Sequence, residues 1–302
     1  MSNSNLSLIP KDWPNRNLST SILVNHIQWH VQIHRHLDPE AKTILLIHGA
    51  GASSHSWENI LPNLMQEFTV IAPDLPGHGF TTGYDQNLLK IDDIAFDLHL
   101  LIEELGIPSP NIFIGHSAGA NICLALSLLC ESEPDLLIGM NPALVPPPNA
   151  YKIFLGPLIN PIATSSFMAH FLASTLRLSG AIDKILDSTN SELTSLQRSR
   201  YKTLFSESNH INSALSFVAA IDIPKLLKQS SKIHSHLAFV LAKQDSWIQI
   251  ASVKSVIKEY YPKALIYEEE GGHLFHEANP LRALEIIHTT IQNVYFDIKV
   301  SN

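Results

Sequence analysis

The chain has 302 residues, 45% of them hydrophobic, with only 16% charged and a formal net charge of −8. Such a length buries a large core in one α/β domain, with or without an insertion. The acidic balance and the lack of a basic stripe argue against nucleic-acid binding, and no run of about twenty apolar residues marks a membrane span.

Residues 1–20 are polar and interrupted by proline, a leader rather than a domain, and Met1 to Arg16 lack the apolar stretch of a secretory signal. From Ser21 to Arg35 the pattern alternates, placing Ile27, Trp29, Val31 and Ile33 on one face. At period two this is an antiparallel pair or one long strand at a sheet edge. His26, His30, His34 and His36 fall here. With no carboxylate or cysteine at ligand spacing, they read as polar strand-face residues rather than a metal site.

Thr43 to Ile47 is a continuous apolar run, as a buried parallel strand should be, and opens into the small-residue loop His48-Gly49-Ala50-Gly51-Ala52. A helix is expected over Ser56 to Glu67 and a strand over Thr69 to Ala72. The turn-rich loop Asp74-Leu75-Pro76-Gly77-His78-Gly79 follows, then an amphipathic helix over Ile91 to Leu105.

Asn111-Ile112-Phe113-Ile114-Gly115-His116-Ser117-Ala118-Gly119-Ala120 is the stretch that carries chemistry. A β-branched and aromatic strand runs through Gly-x-Ser-x-Gly into a helix, the context of a nucleophile elbow. Gly115 and Gly119 suit the tight turn because side chains there would collide. The helix N-terminus beneath Ser117 favours the negative charge that acyl transfer creates. Cys123 and Cys130, on the helix after Ser117, would lie about 10 Å apart along it, too far for a disulfide. Two unpaired thiols that pack in a core fit a reducing cytoplasm.

Leu136 to Met140 is another strand, closed by Asn141-Pro142, after which Pro146-Pro147-Pro148 stops regular structure. Residues 143–231 carry no strand pattern and read as helices inserted over the carboxyl edge of the sheet, where open α/β sheets bind ligands. Phe167, Met168, Phe171 and Leu172 mark one apolar face and Leu193, Leu196, Tyr201 and Leu204 another. Strands resume at Leu237 to Leu241 and Ala264 to Tyr267, and a helix from Pro280 to Asn293 ends the pattern. The expected organisation is a core of residues 1–142 and 232–302, mostly parallel in its sheet, with a helical cap at 143–231.

A serine hydroxyl needs a base to take its proton, and the base needs an orienting acid. His273, after Gly271-Gly272, is favoured as base over His276, which reads as support for the loop. His273-x-x-His276-Glu277 matches no zinc motif. Asp245, beyond the strand ending at Leu241, is favoured as acid; Asn141 cannot balance an imidazolium, Asp222 falls in the insertion, and Glu268 to Glu270 precede His273 too closely. The backbone N–H groups of Ala50 and Ala118 would form the oxyanion hole. His116 reads as packing. Neither a cofactor nor a metal is expected.

With these motifs the chain resembles the α/β-hydrolase superfamily. More narrowly it is similar to the magnesium-chelatase accessory hydrolases of bacteriochlorophyll and chlorophyll synthesis. The matching stretches are Asp12-Trp13-Pro14-Asn15-Arg16, His48 through Trp57, Ala72 through Thr81, Gly115 through Ala120, Asn141-Pro142-Ala143-Leu144, and Gly272-His273-Leu274 with His276-Glu277. The resemblance implies an α/β-hydrolase fold with Ser117, Asp245 and His273 as nucleophile, acid and base. One departure is Ala242, which stands where such hydrolases often carry the glycine of Gly-x-x-Asp.

Two functions follow. The first is hydrolysis of an ester or related acyl bond in an apolar substrate, a lipophilic ester or a tetrapyrrole intermediate. The second is a non-catalytic accessory that binds a tetrapyrrole or magnesium chelatase. Arg177, Arg198 and Arg200 are the only arginines of the insertion; their spacing does not mark a carboxylate clamp, though one could serve a propionate side chain. The apolar run Ile153 to Leu178, broken by Pro157 and Pro161, suggests weak peripheral membrane contact rather than a span.

Overall fold

The computed structural model describes residues 6–85, 89–107, 109–130, 132–145 and 180–301. Eight strands form one sheet: β1 (Ser19–Val24), β2 (Ile27–His34), β3 (Thr43–Ile47), β4 (Thr69–Pro73), β5 (Ile112–His116), β6 (Leu136–Met140), β7 (His236–Ala242) and β8 (Leu265–Glu269). Their spatial order is β1-β2-β4-β3-β5-β6-β7-β8. From β4 to β8 every pairing is parallel, while β2 runs antiparallel to both β1 and β4. The sheet is therefore mostly parallel, as its continuous apolar runs predict.

The alternating stretch near the N-terminus is a hairpin, and β2 is an inner strand with β1 at the edge. Asn25 and His26 turn it with φ of 46° and 68°, as a two-residue hairpin of this twist requires. His30 is fully buried in β2 and donates from Nδ1 to Asp74 Oδ2 at 2.7 Å. The carboxylate that sequence spacing could not supply comes from 44 residues away. Burial alone would raise the Asp74 pKa, but the charge and hydrogen bond of His30 hold it below the usual carboxylate range.

Helices cover both faces. α1 (Leu61–Leu64), α2 (Ile91–Glu104) and α3 (Ala118–Ser127) lie in the first half. α4 (Ala181–Asp187), α5 (Ser195–Leu204), α6 (Ser208–Ala219) and α7 (Ile223–Leu227) lie between β6 and β7. α8 (Ile250–Tyr260), α9 (Phe275–Ala278) and α10 (Pro280–Ser301) follow. Alternate strand residues feed two cores. Leu45, Ile47, Phe113 and Phe239 pack with Leu98, Ile122 and Val253 on one face. Ile44, Leu46, Ile114 and Val240 pack with Trp57, Ile287 and Ile291 on the other. Each such side chain contributes about 1.5–3 kcal/mol by leaving water.

Several elements depart from expectation. Residues 56–67 are not one helix: a 3-10 turn at Ser54–Trp57 is followed by the short α1, because Pro62 lacks an N–H and fits only a helix's first turn. On α5 the inward positions are Gln197, Arg200, Tyr201 and Leu204, whereas Leu196 is 53% exposed. Thr194 caps that helix, so Leu193 precedes it and Leu196 faces away from the buried stripe. The helix beneath Ser117 ends at Ser127, before Cys130, and both cysteines are free. The last helix runs to Ser301 rather than stopping near 293. Among the described residues between 143 and 231 no strand occurs. Phe167, Met168, Phe171 and Leu172 lie outside the described residues.

The leader clasps this assembly. Trp13 is buried, with its ring against His55 and Phe80 and beneath the Arg200 guanidinium, and Asp12 pairs with Arg200 at 3.0 Å. Ile9, Trp13 and Leu204 form a small core of their own.

Candidate active site

The site sits beyond the carboxyl ends of the parallel strands, where five connections converge. Ser117 follows β5 with φ 52° and ψ −118°, a conformation outside the common regions for a side-chain-bearing residue. The flanking glycines explain how it is tolerated. A Cβ at Gly115 would stand 2.6 Å from the Ala120 backbone, and one at Gly119 would strike the carbonyl oxygens of Ile47 and His48.

Asp245 stands three residues past β7, and His273 four past β8. The structure brings them and Ser117 together. Asp245 Oδ2 lies 2.8 Å from His273 Nδ1, and His273 Nε2 lies 3.1 Å from Ser117 Oγ. A carboxylate can only accept, so Nδ1 carries the proton and Nε2 is left bare to accept from the serine. The other carboxylate oxygen accepts from the N–H groups of Trp247 and Ile248, both at 2.8 Å. Ala242 is accommodated in place of glycine because it closes a regular strand and is not among the residues at positive φ. Trp247 stacks on the His273 ring, centroids 5.3 Å apart and planes 28° apart.

The remaining carboxylates fall elsewhere. Asp222 caps α7, and Glu268, Glu269 and Glu270 pair with Lys254, Arg282 and Lys243. His116 does more than pack: its Nε2 donates to the His273 carbonyl at 2.9 Å. His276 is buried beside it, ring centroids 4.4 Å apart, and burial together with the charge of nearby His273 pushes its pKa down to about 3. It is thereby held neutral, a support of the loop.

Ala50 and Ala118 line the same cavity as Ser117 and His273. Among the described residues neither N–H has a hydrogen-bond partner. His48 fixes the Ala50 loop, donating from Nδ1 to the Gly49 carbonyl and accepting at Nε2 from the Leu75 N–H.

The cavity measures about 250 Å³. Its far wall comes from the helices between β6 and β7: Ile185 and Leu186 of α4, and Ile211, Ala214, Leu215 and Val218 along one face of α6. Among the described residues no lysine, arginine, aspartate or glutamate lines it. The insertion arginines do not serve it either. Arg198 pairs with Asp187 and Asp183, and Arg200 with Asp12, so neither is available to a propionate. Arg177 lies outside the described residues. No cluster suited to a metal ion occurs among the described residues.

An eight-stranded, mostly parallel sheet with a serine on the strand-to-helix turn after β5 defines an α/β hydrolase. The chain matches the Alpha/beta hydrolase family over residues 44–285, and it belongs to that family. It is 29% identical over 276 residues to the "Magnesium-chelatase 30 kDa subunit" of Rhodobacter capsulatus, covering 89% of this chain and 93% of that one. Among solved structures it resembles Cfl2 from Burkholderia cenocepacia, with a TM-score of 0.75 at 18% identity, covering 90% of this chain and 95% of that one. It also resembles the enol-lactonase from Burkholderia xenovorans LB400, with a TM-score of 0.68 at 17% identity, covering 92% and 100%. At such identities these likenesses concern the fold.

Proposed function

We propose that the protein is a serine hydrolase that cleaves an ester or related acyl bond of an apolar, uncharged substrate. The observation that carries this reading is the relay from Asp245 through His273 to Ser117, placed at the wall of a cavity lined almost wholly by aliphatic and aromatic side chains. In the reaction Ser117 Oγ attacks the acyl carbon while His273 Nε2 takes its proton, and Asp245 stabilises the imidazolium that results. The carbonyl oxygen becomes an oxyanion facing the N–H groups of Ala50 and Ala118. His273 then returns the proton to the departing alcohol, and water, activated by the same imidazole, releases the acid. The helices between β6 and β7 act as a cap that excludes bulk water and selects apolar groups. A fluorophosphonate probe tests the reading. Rapid labelling at Ser117, lost in Ser117→Ala, is the expected result, and inert, folded wild-type protein would refute it.

A second reading is favoured by the similarity to the Magnesium-chelatase 30 kDa subunit. Here the protein binds a tetrapyrrole or chelatase during (bacterio)chlorophyll synthesis without catalysis. Complementing a strain that lacks the relative separates the two. Restoration of pigment by Ser117→Ala as well as wild type supports binding alone, and restoration by wild type alone supports hydrolysis.

A further inference from the structure

Behind the cavity wall a second set of polar side chains joins three separate parts of the fold. Glu277, on α9 four residues beyond His273, is 4% exposed. Its Oε1 accepts from Ser56 Oγ at 2.5 Å and from Tyr201 Oη at 2.6 Å. Ser56 spends its proton on that carboxylate, so it accepts from His276 Nε2 at 2.9 Å. The main-chain oxygen of Glu277 accepts from Gln197 Nε2 at 2.8 Å. Ser56 belongs to the 3-10 turn of the core, Tyr201 and Gln197 to α5, and Glu277 to the loop that carries His273.

Two further bonds tie the same parts. The His273 N–H donates to the Thr189 carbonyl at 2.8 Å, and the Leu274 N–H to Ser191 Oγ at 2.8 Å. The Tyr201 side chain borders the substrate cavity. One residue thus lines the cavity and, through its hydroxyl, grips the histidine loop.

We propose that Glu277 is a positioning residue: its carboxylate, gripping Tyr201 and Ser56, holds the cap and the His273 loop in one closed arrangement. The proposal rests on the hydrolase reading above and says how its base is held.

The grip depends on protonation. O–H donors bind a carboxylate about twice as strongly as a neutral acid. The groups facing Glu277 are Ser56 and, by its charge, Glu58 on one side, Tyr201 on another, and His276 at 3.9 Å on its own loop. Arg200, next to Tyr201, is turned to Asp12. With no cation among the described residues set against it, burial pushes the Glu277 carboxyl up to about 7, against the pull of the two hydroxyls. The closed arrangement holds the proton more tightly than a released loop would, and therefore loosens as pH rises from about 4.5 to about 7.

The test compares wild type with Glu277→Ala, Glu277→Gln and Tyr201→Phe, using a p-nitrophenyl ester of a medium-length acyl chain. Glu277→Ala removes the acceptor and should lower kcat about tenfold at pH 8 with KM within about twofold. Glu277→Gln keeps an acceptor oxygen and should recover most of that loss. Tyr201→Phe keeps the ring but drops one donor, and should lower kcat less than Glu277→Ala does. Hydrogen exchange of the 272–278 amides supplies a readout that needs no turnover. Protection, corrected for intrinsic rate, should drop in Glu277→Ala. In wild type it should fall relative to Glu277→Gln as pH rises from about 5 to about 7. Unaltered kcat and unaltered protection in a folded Glu277→Ala would overturn the proposal. An inert wild type whose protection still drops in Glu277→Ala would sink the hydrolase reading and leave the grip standing.

Discussion

Asn141 Nδ2 lies 2.8 Å from the carbonyl oxygen of His273. The same amide group reaches the Gly272 carbonyl at 3.1 Å, and its Oδ1 accepts from the Ala242 N–H at 2.7 Å. Asn141 has a φ of 45°, which asparagine tolerates better than most residues. Standing at the end of β6, it laces the end of β7 to the histidine loop, while His116 supports the same carbonyl from β5.

Asn141→Ala should therefore leave the Gly272 carbonyl and the Ala242 N–H without this partner, leave the His273 carbonyl to His116 alone, and destabilise the protein by about 2–4 kcal/mol. Urea unfolding reads the loss of stability. kcat should fall more than KM rises, because the displaced group is the proposed base.

Asp245→Asn removes the acceptor that sets the His273 tautomer. A loss in kcat on the order of 10³–10⁴-fold is expected, with KM little changed. Steady-state kinetics at pH 8 measure it, and a wild-type kcat would mean that another group orients the histidine.

Acid should unfold the protein readily. His48, His55, His78, His116, His210 and His276 all have pKa values lowered, chiefly by burial, with His55 near 3 and His210 near 4. An unfolded histidine takes up its proton near pH 6.5. As pH falls below that value the unfolded state binds more protons, and stability drops until the folded pKa values are reached. Glu277 works in the opposite sense. Its raised pKa gives stability that is full below about 4.5 and is lost as pH rises to about 7. Six groups outweigh one, so the urea midpoint should fall steeply from pH 6.5 to 4.

Membrane contact is tested by flotation with liposomes. Wild type should float weakly and a Phe167→Asp/Phe171→Asp variant should not; failure of both to float removes that contact. Among the described residues no helix is long and apolar enough to cross a membrane.

What the sequence revealed was local. β3, β5, β6 and β7 are unbroken apolar runs, and the Ser117 turn is written in ten consecutive residues. The partners of that serine were legible because each follows a strand end. What stayed hidden depends on distant contacts. Asp74 meets His30 across 44 positions, so spacing along the chain could not pair them. Gln197 and Arg200 are polar yet face inward on α5, because Glu277 and Asp12 receive them there. A periodicity of apolar residues therefore chose Leu196 wrongly. Trp247, stacked on His273, and Glu277 had no motif of their own; only the pairing of a buried carboxyl with two hydroxyls reveals the latter.

The Trp13 clasp has a consequence for where this molecule can be cut. The family match begins at residue 44, after the leader, β1 and β2. A fragment of residues 44–285 would strip the partner strand from β4, turning an inner strand into an unpaired apolar edge that invites edge-to-edge aggregation. It would also uncover Leu204 and strand the buried Arg200 guanidinium without Asp12 or Trp13, on the helix that carries Tyr201. Expressed alone, that fragment should precipitate, whereas residues 6–301 should stay dispersed; static light scattering distinguishes the outcomes.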